Sequence, residues 1–139
     1  MELEEIVSKV VHCCFVIHRE LGPGLLESVY EGVLADILQS DGILVERQIP
    51  MPVRFRNIHF EIGFRADLMI ARKLLIELKA IETTMPVHTR QVLTYLRLLD
   101  LPLGLLVNFG TATFKGCVQR IANNYKGRPH HSWQGLLPG

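Results

Sequence analysis

Asp67, Glu77 and Lys79 set two carboxylates and an ammonium close together in sequence, a set able to hold a cation and act on a phosphate. They lie in Gly63-Phe64-Arg65-Ala66-Asp67-Leu68-Met69-Ile70 and, after a short connection, Leu75-Ile76-Glu77-Leu78-Lys79-Ala80. Both stretches read as extended chain, in which alternate residues share a face. Glu77 and Lys79 therefore point one way and Ile76, Leu78 and Ala80 the other; by the same parity Asp67 opposes Ala66, Leu68 and Ile70. A three-residue hairpin loop of Ala71-Arg72-Lys73 pairs Ile70 with Leu74 and sets Asp67 across from Glu77, about 5 Å away between Cβ atoms. A two-residue loop would pair Asp67 with Leu78 and separate the carboxylates. Facing carboxylates on a half-buried sheet repel and lose hydration unless positive charge lies between them. Their oxygens, with the backbone carbonyl of Leu78, form a hard donor set suited to Mg²⁺ or Mn²⁺. The Lys79 ammonium would then stand beside a scissile phosphate or an attacking water and stabilise developing negative charge. The same alternation also suits an ordinary solvent-facing strand with Glu77 and Lys79 as a surface ion pair, and spacing alone leaves both readings open.

These residues need elements to hold them. Leu3, Ile6, Val7, Val10, Cys14, Ile17 and Leu21 recur at helical steps, which predicts a helix from about Glu2 to Glu20, stopped by Gly22-Pro23-Gly24. Leu26, Val29, Tyr30, Val33, Leu34, Ile37 and Leu38 predict a second helix ending at Asp41-Gly42. Five short strands follow as an antiparallel meander: Leu44 to Ile49, Val53 to Phe55, Phe60 to Phe64, Ala66 to Ala71 and Leu74 to Ala80. Pro50 and Pro52 mark an edge or a bulge, because proline cannot donate to a ladder. A third helix is expected from Pro86–Thr89 to Leu99. The apolar run Leu103 to Phe109 reads as a strand covered on both faces, and Thr113 to Ile121 as another. Asn123 to Gly139, rich in Gly, Pro, His and Asn, reads as a mobile tail. The expectation is one domain over 1–122, of α/β (α+β) class, with a mixed central sheet flanked by helices.

Composition narrows the classes. The chain has 139 residues, 48% hydrophobic and 21% charged, enough for one core and too short for two ordinary domains. The formal net charge of +1 is a cancellation: residues 1–46 hold nine acids and two bases, and residues 47–139 five acids and thirteen bases. The basic part contains Asp67, Glu77 and Lys79, so the overall balance does not exclude a polyanion. No apolar run reaches the length of a membrane span, and the acidic start lacks the basic opening of a signal peptide; both point to the cytoplasm. Cys13, Cys14 and Cys117 lack metal-ligand spacing and read as reduced, buried thiols. His12, His18, His59, His88 and His130-His131 read as surface or edge residues, with His88 a minor candidate for phosphate contact. Ser28 has no nucleophile-elbow context, and there is no Walker-type phosphate loop.

Asp67 followed by Glu77-Leu78-Lys79 resembles the core of the PD-(D/E)XK nuclease superfamily, with Ala66 where the older pattern has proline. Gly24-Leu25-Leu26-Glu27-Ser28-Val29-Tyr30 is similar to the Gly-x-x-Glu-x-x-Tyr signature of a group of small bacterial proteins in that superfamily, the GxxExxY family. The likeness runs from about Val7 to Ile121. It implies a restriction-endonuclease-like core, a divalent metal held by Asp67 and Glu77, a lysine that assists the attacking water, and Glu27 completing the site directly or through a water. The alternative for Glu27 is an N-terminal-turn glutamate that interacts favourably with a helix dipole. Tyr30 is a candidate substrate contact or an aromatic core residue. Gln91 and Tyr95, one turn apart on the third helix, resemble a Gln-x-x-x-Tyr pair in the helicase-associated branch, where they would position substrate; Tyr95 also fits the packing stripe. Arg54, Arg56, Arg65, Arg90 and Arg97 are candidates for phosphate contacts. The resulting expectation is a Mg²⁺- or Mn²⁺-dependent nuclease acting on nucleic acid, DNA foremost. Its rival is a non-catalytic nucleic-acid-binding or assembly module, including a homo-oligomer, supported by the Leu-rich stretch Leu96 to Val107 and by the tail.

Overall fold

Periodicity sets the first two elements. In the computed structural model, which describes residues 1–127, helix α1 spans Leu3–Leu21 and buries Ile6, Val7, Val10, Cys14 and Ile17. It ends where Gly22 takes a positive φ of 68° and its N–H bonds the His18 carbonyl at 2.9 Å. Helix α2 spans Glu27–Ser40 and buries Tyr30, Leu34, Ala35 and Leu38. Leu26 and Val29, expected in its apolar stripe, are exposed. They belong to the helix entry, where the stripe has not yet met the sheet.

Four of the five expected meander strands merge into two: β1, Val45–Phe55, and β2, Ile58–Ile70. The prolines do not end β1, because it is the outer strand of a sheet ordered β1-β2-β3-β4-β5, and a missing N–H there can face solvent. The expected irregularity is present as a register shift between Met51 and Val53. Strand β3 is Leu74–Lys79, helix α3 Pro86–Leu99, strand β4 Leu103–Asn108 and strand β5 Val118–Ala122. Pairing is antiparallel except between β3 and β4, which run parallel and are joined through α3. The fold is therefore α+β with a mixed sheet, as expected.

Each sheet face has its own core. Helices α1 and α2 pack with Leu68, Ile70, Leu74, Ile76, Leu78, Leu105 and Val107, whereas α3 packs with Ala66, Met69, Leu75, Leu106 and Ile121. All six residues of β4 are buried, which explains its almost wholly apolar run. Each buried Leu, Ile or Val contributes about 1.5–3 kcal/mol. Leu96 and Leu103 to Val107 lie inside these cores, so most of the Leu-rich stretch is not available as an interface.

Two surface expectations fail. His18 is buried, its Nε2 donating to the Thr111 carbonyl at 2.7 Å and its ring against Phe114. The chain also stays attached past Ile121: Asn123 donates to the Leu101 carbonyl at 3.0 Å, and the Tyr125 hydroxyl to Glu4 at 2.7 Å. Residues 128–139, with His130-His131, lie outside the described residues.

Candidate active site

The β2–β3 connection is the three-residue loop Ala71-Arg72-Lys73, with Ala71 and Arg72 at positive φ and Ile70 paired with Leu74. Backbone pairing continues to Leu68 and Ile76 and stops one pair before Asp67 and Glu77. At that level side chains take over the ladder. The Leu78 N–H donates to Asp67 Oδ2 at 2.8 Å, and the Asp67 N–H donates to Glu77 Oε1 at 3.3 Å. The two carboxyl groups are thus held together at an opening in the sheet, and Leu78 enters the site through its N–H.

The β1 side opens at the same level. Arg47 pairs with Leu68 and Ile49 with Ala66, which brackets Gln48 opposite Asp67. Gln48 has φ of 48°, a left-handed conformation that side chains rarely adopt. The ribbon rolls over there: Val45 packs in the first core, while Ile49 and Met51, which a regular strand would put on the same face, pack against the second. Leu68 and Ala66 on β2 divide in the same way. The roll frees Gln48 Nε2 to donate to Asp67 Oδ1 at 3.2 Å and to Glu31 Oε1 at 2.6 Å. Glu31 is buried, with its other oxygen bonded by Arg47 at 3.0 and 3.2 Å.

The electrostatics are those of crowded acids. Glu77 is 5% exposed, and burial, then the charge of Asp67, pushes its carboxyl from 4.5 up to about 8, with Lys79 opposing. Glu27 is the first residue of α2. Its carboxyl is also raised, by burial and then by Asp67, with Lys79 lowering it, so it lies within the field of the site. Among the described residues no group of three or more His, Cys, Asp and Glu side chains is disposed to hold a metal. The donor chemistry of the Asp67–Glu77 pair fits a hard divalent cation, whose charge would offset the crowding of its two carboxyl groups.

On the α3 face, Gln91 donates to the Tyr95 hydroxyl at 2.7 Å. The Tyr95 ring stacks on Phe64 with centroids 4.0 Å apart. Burial raises the Tyr95 hydroxyl, Gln91 opposes this, and the charges of Glu77 and Asp67 add to it. Tyr95 thus joins the packing stripe and lies within the field of the two acids.

Of its two readings, Tyr30 takes that of the aromatic core residue and is not exposed to a substrate. It is fully buried, stacked on Phe109 at 4.6 Å, and its hydroxyl donates to the Gly22 carbonyl at 2.5 Å and accepts from the Leu25 N–H at 3.1 Å. With Gly24 at φ of 112°, it closes the turn that delivers Glu27. The Gly24…Tyr30 motif is accordingly a local clamp with one acid at its centre. His88 is also occupied locally, its Nδ1 accepting from the Met85 N–H at 3.0 Å in the α3 cap. Arg65 and Arg90 are exposed, on β2 and α3 respectively. Arg54 and Arg56 lie on the distal β1–β2 arm, Arg56 over the Phe55 ring. Sequence reasoning missed Glu31, Gln48 and Phe64. The signal for Glu31 was its four-residue step from Glu27 within a stripe that continues through Leu34 and Leu38.

A mixed sheet with helices on both faces and an acidic pair across an opened hairpin defines a restriction-endonuclease-like core. A family model of the PD-(D/E)XK nuclease superfamily matches residues 4–121, and the chain belongs to that superfamily. No curated protein and no solved structure matches it. Among the described residues no helix is long and apolar enough to cross a membrane.

Proposed function

We propose that this protein is a Mg²⁺- or Mn²⁺-dependent nuclease of the GxxExxY group that hydrolyses nucleic-acid phosphodiester bonds, DNA foremost. The observation that carries the reading is the Asp67–Glu77 pair, held in contact where the β2–β3 ladder opens. Membership of a nuclease superfamily supports the same chemistry. Asp67 and Glu77, with the carbonyl of Leu78, would hold the cation, and Glu27 would support it through a water. When bound, the cation supplies Lewis-acid polarisation of the phosphate and a more acidic water. Lys79 stabilises negative charge on the phosphoryl oxygens and orients the attacking water. The Gln91–Tyr95 pair braces that lysine and the substrate, and Arg65 and Arg90, with Arg54, Arg56 and Arg97, neutralise backbone phosphates. Three free cysteines support a cytoplasmic setting.

The direct test is cleavage of plasmid, linear and single-stranded DNA, and of RNA, with Mg²⁺ or Mn²⁺. Activity lost in Lys79→Ala supports the reading. Activity that survives the substitution, or none on any substrate, overturns the catalytic role. One observation favours a non-catalytic assembly module: Phe55, Ile58, Phe60 and Ile62 are each more than half exposed along the β1–β2 arm. On that reading Mn²⁺ calorimetry shows no binding.

A further inference from the structure

Gln48 occupies a position where its backbone is strained and its side-chain NH₂ bonds two carboxyl groups. Its φ of 48° falls within a strand, at the one β1 position facing Asp67. An ionised carboxylate can only accept hydrogen bonds. Glu31 therefore fixes which end of the Gln48 amide is which: the NH₂ must face Glu31 Oε1 at 2.6 Å, and its second N–H is the one that reaches Asp67 Oδ1 at 3.2 Å. Glu31 cannot turn away, because it is buried and its other oxygen is gripped by Arg47. Asp67 then has one donor on each oxygen, Gln48 on Oδ1 and the Leu78 N–H on Oδ2. Two donors fix the carboxylate plane, and each oxygen keeps a further acceptor direction unused by these bonds.

We propose that Gln48 is a positioning residue for the cation-holding carboxylate of Asp67, and that the buried Glu31–Arg47 pair sets the direction in which the Gln48 amide points. This rests on the proposed role of Asp67 as a metal ligand. Groups that orient a metal-binding side chain typically change affinity 10- to 100-fold when removed. Glycine accepts positive φ freely, so Gln48→Gly removes the amide while relieving the backbone. Glu31→Gln keeps the shape at the neighbouring position but replaces the charged acceptor that holds the Gln48 NH₂ by a neutral amide, which loosens the aim of its second N–H at Asp67.

The experiment is Mn²⁺ calorimetry on the full chain and on Gln48→Gly, Glu31→Gln and Asp67→Asn, with the thermal midpoint of each metal-free protein measured alongside. The side-chain NH₂ resonances of Gln48 are followed by NMR during a Mg²⁺ titration of the parent. The expected result is loss of binding in Asp67→Asn, a 10- to 100-fold weaker Mn²⁺ affinity in Gln48→Gly with a midpoint near the parent's, and a smaller weakening in Glu31→Gln. The Gln48 NH₂ signals should shift in step with Mg²⁺ occupancy. Parent-like affinity in both Gln48→Gly and Glu31→Gln, with Asp67→Asn still defective, overturns the positioning role and leaves the nuclease reading standing. Parent-like affinity in Asp67→Asn overturns both. If Gln48→Gly fails to fold, the Glu31→Gln affinity and the NH₂ shifts decide, and unmoved values in both count against the proposal.

Discussion

Replacing Glu77 by Gln should make the metal-free protein less sensitive to alkaline pH. In the folded chain burial and Asp67 hold the Glu77 carboxyl up at about 8, against 4.5 for an ordinary glutamate. The native state therefore keeps a proton that the unfolded chain has already released. The stability that this provides is complete below about pH 4.5 and is lost as pH rises through about 8. At 1.36 kcal/mol per unit, the loss between pH 5 and pH 9 is roughly 4 kcal/mol. That is a large share of a typical domain stability of about 5–15 kcal/mol. In Glu77→Gln the amide oxygen can still accept from the Asp67 N–H and the NH₂ can donate to the Asp67 carboxylate, as the protonated acid does. The variant should thus keep the fold and lack this pH dependence. Urea denaturation in the presence of a chelator, at pH steps from 5 to 9, measures both proteins. The parent's stability should fall relative to that of Glu77→Gln across this range, whereas the variant's Mn²⁺ binding should be lost. Parallel stability curves would show that the pair is solvated in solution and does not share a proton, which would refute the reasoning.

Other outcomes follow from single contacts. Lys79→Ala should slow Mg²⁺-dependent cleavage by about 10²- to 10³-fold in a plasmid-nicking assay, the typical effect of removing one donor to developing oxyanion charge, with Mn²⁺ affinity retained in calorimetry. Tyr30→Phe should lower stability in urea by about 1–3 kcal/mol, because the Gly22 carbonyl and the Leu25 N–H lose a common partner beside the core. Ile76→Ala, fully buried beneath the helices, should cost about 2–5 kcal/mol in the same assay. Phe60→Ser, on the exposed arm, should change stability by no more than about 0.5 kcal/mol.

Alternation in β3 and a three-residue loop were enough to set Asp67 against Glu77, because register propagates from the turn. Helix stripes placed α1, α2 and α3 within a residue or two. What stayed hidden depends on partners distant in the chain. His18 is buried by Thr111, 93 residues away. Glu31 looks like an ordinary polar helix position until Arg47 and Gln48 arrive from β1. Gln48 itself fits the polar alternation of a regular strand, and nothing in its type signals a left-handed φ. The prolines were correctly read as an edge signal but wrongly as strand ends, since a two-strand ribbon can continue where only the outer side loses donors. Tyr30 was ambiguous because a stripe position and a substrate-facing position share the same helical spacing.

The prolines of β1 also govern how copies of this chain behave when crowded. Strand β1 is the free margin of the sheet, and the ribbon it forms with β2 carries Phe55, Ile58, Phe60 and Ile62 in the open. An unpaired margin beside exposed aromatic and branched residues would invite another extended chain to zip onto it and propagate into aggregates. Pro50 and Pro52 each lack an N–H, and a ladder tolerates this where the strand's outer side has no partner. An incoming strand would meet two absent donors within one short stretch. The arm can therefore keep an apolar face in solution because its edge is a poor template for self-assembly.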